Sequence, residues 1–279
     1  MIDKKTKLEE KRDLGKGNYL LTFSSPEQAQ LVRPGQFVML RCAPGFDEIP
    51  LLRRPLSVFD IWRDAQTERP TGLQLLVKDI GFGTHKLVTA PLGSEVYMLG
   101  PQGRCFQISA EIKNQARIAC LVAGGVGIAA LYLLARALMA EGLQPVLFYG
   151  AHTAEDLVLR DYFERLELET HYATEDGTLG ERGLVTALVE PFLSQRVRIG
   201  LRIYACGPWA MMKATHLLAT RHHVGCEVSL EARMGCSLGA CMGCVTETWN
   251  EAGQKQYLRV CREGPVMNSD AVNWDATPF

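Results

Sequence analysis

The sequence predicts an α+β multidomain protein: an N-terminal antiparallel β-barrel, an α/β unit built on a parallel sheet, and a small cysteine-rich domain. Three observations carry that reading. Short apolar runs separated by Gly- and Pro-containing turns fill the N-terminal third. Strands and helices alternate from about residue 115. Four of the nine cysteines crowd into the 26 residues from Cys236 to Cys261. The boundaries follow these changes of texture, at 1–108, 109–225 and 226–279.

At 279 residues the chain is long enough for two ordinary domains and an appendage. Its content of 47% hydrophobic and 22% charged residues is that of a folded globular protein. A formal net charge of −1, with acidic and basic residues intermixed, supplies no field to draw in nucleic acid or an anionic membrane. The first twenty residues lack the apolar core of a signal peptide, which makes the cytoplasm the expected location. Ile118–Ala135 is 18 residues without a charge. Gly124, Gly125 and Gly127 divide it into a β-branched half and an Ala/Leu half, so it reads as strand–turn–helix and not as a membrane span. Without an export signal, the cysteines read as thiols or metal ligands and not as disulfides.

In the first part, Phe37–Arg41, Leu56–Ile61, Leu73–Val77 and Glu95–Leu99 read as strands, with one helix near Thr84–Thr89 after a Gly-Phe-Gly turn. In the second, strands at Arg117–Ala123, Pro145–Tyr149, His171–Thr174 and Arg202–Ala205 alternate with helices at Ile128–Glu141, Asp156–Leu166, Gly183–Leu193 and Pro208–His222. Cys226, Val228 and Leu230 alternate as one buried face of a strand. Beyond it the chain has too few apolar residues to fold without a clip.

The clip is legible. Cys236, Cys241 and Cys244 are spaced C-x4-C-x2-C, and Cys261 follows at a distance, which is the ligand spacing of plant-type [2Fe–2S] proteins. Gly235, Gly239, Ala240 and Gly243 let the backbone close around inorganic sulfides. A structural zinc site is the competing reading, although zinc usually takes two close cysteine pairs and only one C-x2-C is present. The six histidines show no ligand spacing.

Other motifs point to nucleotides. Residues 125–130 fit G-x-G-x-x-A between a predicted strand and a predicted helix, where Gly124, Gly125 and Gly127 would let a pyrophosphate approach. The acidic residue expected on the following strand is missing, with Glu155 and Asp156 coming late, so NAD and NADP stay undistinguished. Cys206-Gly207-Pro208 ends an apolar strand, where a strand-to-helix corner alone would explain it. Arg54-Pro55-Leu56-Ser57 opens a strand whose arginine suits a phosphate and whose backbone suits the polar edge of a flavin. Gly83 and Thr84 open a helix, with Thr84 expected as its N-cap beside a phosphate.

Taken in order, Arg54–Ser57, Gly83-Thr84-His85-Lys86-Leu87, Gly100-Pro101-Gln102-Gly103, Gly124–Gly127 and Cys206–Pro208 resemble the flavin and nicotinamide halves of the ferredoxin-NADP reductase superfamily. Leu230–Met234, the cysteine loop, Val260–Val266 and the turn Glu175-Asp176-Gly177-Thr178 resemble the electron transfer subunits of type B dihydroorotate dehydrogenase. The resemblance implies an oxidoreductase subunit of pyrimidine biosynthesis. A partner containing FMN would oxidise dihydroorotate, with electrons passing through the [2Fe–2S] cluster and FAD to NAD, in a heterotetramer of two copies of each subunit. It further implies that Arg54, Pro55, Leu56 and Ser57 line FAD, that Leu76, Val77 and Lys78 pack against it, and that Gly83 and Thr84 meet its pyrophosphate. Gly124, Gly125, Gly127, Cys206, Gly207 and Pro208 would face NAD, and the four cysteines would hold the cluster. The charged Asp60–Arg69 segment and the tail after Val266 depart from that pattern.

Two other readings use the same residues. One is the small FAD/[2Fe–2S] subunit of an NAD(P)H-ferredoxin or sulfur oxidoreductase. The other is a zinc-clipped, nucleotide-binding interaction module without redox turnover.

Overall fold

The computed structural model describes residues 1–42, 49–109, 112, 116–196 and 200–276. Six strands close the barrel: β1 (Ile2–Gly15), β2 (Asn18–Ser24), β3 (Phe37–Leu40), β4 (Arg54–Arg63), β5 (Pro70–Lys78) and β6 (Glu95–Gln102). Their order is β1-β2-β5-β4-β3-β6, and β6 returns to pair with β1. All six pair antiparallel, as the alternating runs predicted. The sequence reading missed β1 and β2. In β1 only Thr6 and Leu8 are buried, and its many charges face solvent while β2 and β6 satisfy its backbone on both sides. Leu21, Phe23, Val38, Leu40, Val58, Leu73, Leu75 and Val77 fill the barrel. The Asp60–Arg69 segment is the end of β4 and its hairpin into β5, where Asp64 accepts the N–H groups of Gln66 and Thr67. Two helices decorate the barrel, α1 (Pro26–Leu31) and α2 (Phe82–Thr89).

The second part is a seven-stranded sheet. Its strands are β7 (Ile118–Gly124), β8 (Gln144–Ala151), β9 (Glu169–Thr174), β10 (Glu181–Arg182), β11 (Leu201–Cys206), β12 (Gly225–Ser229) and β15 (Val266–Asn268), in the order β10-β9-β8-β7-β11-β12-β15. All pairs are parallel except β12 with β15. Every residue of β7 is buried, because helices cover both faces. Cys120 and Val122 pack with α5 (Thr186–Gln195) and α6 (Trp209–Arg221), whereas Ala119, Leu121 and Ala123 pack with α3 (Tyr132–Ala140) and α4 (Arg160–Glu164). Two helices are shorter than expected. Gly125–Ala130 is a 3₁₀ turn, since Gly-Val-Gly is a poor α-helix start, and α3 begins only at Tyr132. The predicted Asp156–Leu166 helix is a 3₁₀ turn at Ala154–Asp156 and the single turn of α4, separated by Leu159 in the left-handed region.

The cysteine-rich segment does not stand apart. Cys226, Val228 and Leu230 are buried as expected, but β12 is the sixth strand of the parallel sheet, so the 225/226 boundary falls within a strand. The hairpin β13 (Val245–Trp249) and β14 (Lys255–Arg259) follows, and β15 then re-enters the sheet. The tail after Val266 packs back onto α6, where Trp274 lies 4.9 Å from Trp209 and its indole donates to the Ser269 carbonyl. Docking as well as the cysteines therefore holds this segment. No helix among the described residues is long and apolar enough to cross a membrane.

Candidate functional site

The four clustered cysteines arrive on two short segments, the loop between β12 and β13 and the turn after β14. Cys236 and Cys241 face each other across the loop. The Cys241 N–H points at Cys236 Sγ at 3.4 Å, the Leu238 N–H at the same sulfur at 3.3 Å, and the Gly243 N–H at Cys241 Sγ at 3.5 Å. Left-handed backbone at Ser237, Gly239 and Met242 turns these amides inward. Burial opposes ionisation of Cys236, but the amide donors outweigh it and bring its thiol down to about 6. Cys244 and Cys261 form the second pair, both buried, and desolvation together with Cys244 pushes Cys261 up to about 12.

Among the described residues no three His, Cys, Asp or Glu side chains converge on one point. Two pairs of thiols are the division a two-iron cluster requires, with a thiolate pair for each iron. The donor set, the inward amides and the small residues of the loop fit a [2Fe–2S] cluster. The sequence reading missed the residue that joins the two segments. Arg259 donates to the Gly239 carbonyl at 3.0 Å and pairs with Glu263, two residues beyond Cys261. The turn also rests on the barrel, where the Arg104 N–H bonds the Gly264 carbonyl at 2.6 Å.

The flavin candidates come together at the barrel's end. Arg54 lies over the start of α2, so close that a β-carbon on Gly83 would sit 2.8 Å from its Nε. The first-turn N–H groups of α2 have no partner within the helix and lie beside this guanidinium, which makes the corner fit a pyrophosphate. Thr84 is not the N-cap. Gly81 is, and the Thr84 hydroxyl accepts from the N–H groups of Ile80 and Gly81 at 3.1 Å, bracing the turn. Pro55, Leu56 and Ser57 are half-buried along β4, paired with β3. On β5, Val77 points into the barrel and Leu76 packs into the cluster containing Phe59 and Tyr132. Their backbone and the exposed Lys78 are what that strand offers a ligand.

The nucleotide candidates meet at the carboxyl ends of the sheet strands. Strand order reverses between β7 and β11, the position where parallel sheets bind ligands beyond their carboxyl ends. The Gly124–Gly127 turn leaves β7 there, and Cys206-Gly207-Pro208 leaves β11. A β-carbon on Gly127 would collide with the Cys206 carbonyl and lie 2.7 Å from Gly207 N, and one on Gly124 would lie 2.6 Å from Pro208 Cδ. Each motif is ambiguous in the sequence; the fold packs one on the other.

Side chains of β4 and α3 fasten the barrel to the sheet. Arg136 of α3 donates twice to Asp60 of β4, at 2.6 and 2.8 Å, and Phe59 stacks on Tyr132 at 4.6 Å. Burial raises the Asp60 carboxyl even against its Arg136 partner. Arg12 adds a surface pair to Asp161 at 3.0 Å. Nothing in the sequence spacing announces these pairs, which join residues 76 and 149 positions apart.

Comparison with known proteins gives consistent results. The family model for the iron-sulfur cluster binding domain of dihydroorotate dehydrogenase B matches residues 231–273, and that for the oxidoreductase NAD-binding domain matches residues 121–217. The dihydroorotate dehydrogenase B (NAD(+)) electron transfer subunit of Desulforamulus reducens is 37% identical over 258 residues, 92% of this chain and 93% of the relative. The same subunit of Bacillus cereus (strain Q1) is 33% identical over 256 residues, again 92% and 93%. A solved structure of the NADH-dependent reduced ferredoxin-NADP oxidoreductase superposes with a TM-score of 0.81 at 28% identity, covering 97% of this chain and 90% of that one. Phthalate dioxygenase reductase, at 17% identity and a TM-score of 0.62, shares the fold over 93% of this chain and 77% of its own.

Proposed function

The chain belongs to the family of dihydroorotate dehydrogenase B electron transfer subunits, and from that premise we propose that it carries electrons from a dihydroorotate-oxidising partner through a [2Fe–2S] cluster and FAD to NAD+. The carrying observation is that one fastened frame presents the paired cysteines, the Arg54–Gly83 corner and the Gly127–Cys206 corner. Flavin exchanges a hydride with a nicotinamide and single electrons with a cluster, so it supplies the conversion between the two. The protein's own work is placement. Cys236, Cys241, Cys244 and Cys261 hold the irons, and the amides of Leu238, Cys241 and Gly243 donate toward the ligand sulfurs, which sets the electrostatics there. Arg54 and the first amides of α2 grip the FAD pyrophosphate, with Pro55–Ser57 and the backbone of Leu76–Lys78 along the ring system. The turns at Gly124–Gly127 and Cys206–Pro208 seat the dinucleotide. No general acid or base is assigned, because hydride and electron transfer need none.

The family implies a catalytic dihydroorotate dehydrogenase partner. That the partner carries FMN, that two copies of each subunit assemble, and that the complex is cytoplasmic are parts of this proposal. So is the division into flavin, nucleotide and cluster domains at 1–108, 109–225 and 226–279, with β12 shared by the last two.

The test is reconstitution. Coexpressed with the catalytic subunit from the same source, the chain should confer dihydroorotate-dependent NAD+ reduction. One observation favours a second reading, the similarity over 97% of the chain to the ferredoxin-NADP oxidoreductase structure. Reduction of ferredoxin or NADP+ without any dihydroorotate-linked activity would support that alternative instead.

A further inference from the structure

One arginine outside the cysteine set acts on the loop that carries Cys236, Cys241 and Cys244. Arg259 ends β14, two residues before Cys261, and its carbonyl accepts the N–H groups of Arg262 at 3.0 Å and Glu263 at 2.9 Å. That turn fixes where the guanidinium starts, and the side chain is then held twice. Its Nε donates to Glu263 Oε2 at 3.0 Å, and its Nη1 crosses to the other segment and donates to the Gly239 carbonyl at 3.0 Å. Among the described residues no other side chain bonds a backbone carbonyl of the loop 236–244. The crossing needs a glycine. Gly239 has a φ of +83°, and a β-carbon there would lie 2.8 Å from Arg262 Cγ and 3.2 Å from Arg259 Nη1.

The carbonyl that Arg259 grips belongs to the peptide joining Gly239 to Ala240, and the N–H of that same unit is the Ala240 N–H. The Ala240 N–H faces the Cys236 sulfur, and the Gly239 N–H, one peptide earlier, faces the Cys261 sulfur. The two amides on either side of the gripped residue therefore serve one thiol of each pair. A charge-assisted bond to a carbonyl polarises its peptide and strengthens the N–H donor at the other end. It also holds both amides in one orientation. Glu263 neutralises much of the arginine's charge, so the effect at the sulfurs comes through the peptide and not from a free cation.

We propose that Arg259, acting through Gly239, raises the reduction potential of the cluster by strengthening the amides that donate to Cys236 and Cys261. Reduction adds a negative charge to the cluster, and N–H donors at its sulfurs favour that state. The inference rests on the cluster reading above and names a residue that tunes it. Arg259 offers no ligand atom, so it is a positioning residue.

The experiment is a potentiometric titration of the anaerobically purified full chain, read by electron paramagnetic resonance of the reduced cluster. Wild type, Arg259→Gln and Arg259→Lys are compared, with iron and flavin quantified on each sample. In Arg259→Gln the ratio of reduced to oxidised cluster at a fixed potential should fall about tenfold, equivalent to about 59 mV for a one-electron couple. Arg259→Lys keeps the charge but lacks the planar fork that bonds Glu263 and Gly239 together, so its potential should fall too, by less. Flavin content should stay unchanged in both. A shifted Arg259→Gln beside Arg259→Lys at the wild-type potential would mean that charge alone acts, which overturns the route through the peptide. Wild-type potentials in both variants, or loss of the cluster from both, would make Arg259 a structural tie and overturn the inference while the cluster assignment stands. A wild-type chain without a [2Fe–2S] signal overturns the cluster reading itself, and the inference with it.

Discussion

A β-carbon placed on Gly127 would run into the carbonyl of Cys206, 79 residues away, so the two turns proposed to seat the nucleotide are a single packed corner. Gly127→Ala must push that corner open. Overpacking of this kind costs about 1–3 kcal/mol. The expected result is a lower Tm and at least tenfold weaker NAD+ binding, with FAD and iron content unchanged. Titration and cofactor analysis on one preparation would check it.

Cys241→Ser should remove the cluster, because it leaves one member of an iron's thiolate pair missing. Cys226→Ser is the control: that thiol is buried in β12, with desolvation pushing it up to about 12, and it faces no ligand. Iron and sulfide should fall to near zero in the first variant and stay normal in the second. Full iron content in Cys241→Ser would contradict the ligand assignment.

Arg54→Ala should lower FAD occupancy about tenfold, since a charge-assisted contact to the pyrophosphate is lost at the α2 corner. The cluster lies on other segments and should keep its absorption. Flavin released on heating, measured against protein and iron, distinguishes this from general misfolding.

The Asp60–Arg136 pair gives a pH prediction. Burial raises the Asp60 carboxyl in the folded protein, so its ionised form costs stability and Arg136 offsets part of that cost. In Arg136→Met the carboxylate is left alone. Arg136 is one-third exposed, which places the loss at about 1–3 kcal/mol, between a surface and a fully buried pair. The deficit should be largest near neutral pH and shrink on acidification, as the raised Asp60 carboxyl takes up its proton. Tm measured against pH for both proteins is the check, and a gap that widens in acid would contradict it.

The residues behind these predictions differ in how far the sequence alone announces them. Cysteine spacing is local, and so is the Gly124–Gly127 turn, so both are legible in the order of residues. The parallel strands are legible because burial on both faces leaves near-continuous apolar runs such as Ile118–Ala123. Strand β1 is hidden because barrel closure stabilises it through backbone pairing while its side chains stay charged. Thr84 mimics an N-cap because a hydroxyl at the third helical position can bond the same turn. Asp60 and Arg136 carry no local signal, since each acts through a partner that only the fold brings near, and the Arg259 bridge to Gly239 is likewise made only in the fold.

The most direct test of the central claim is the ultraviolet–visible spectrum of anaerobically purified protein, with iron, sulfide, zinc and flavin quantified on the same sample. The account predicts about two irons and two sulfides per chain together with one FAD. Zinc in place of iron, with no flavin, would contradict it and leave a nucleotide-binding interaction module as the better description.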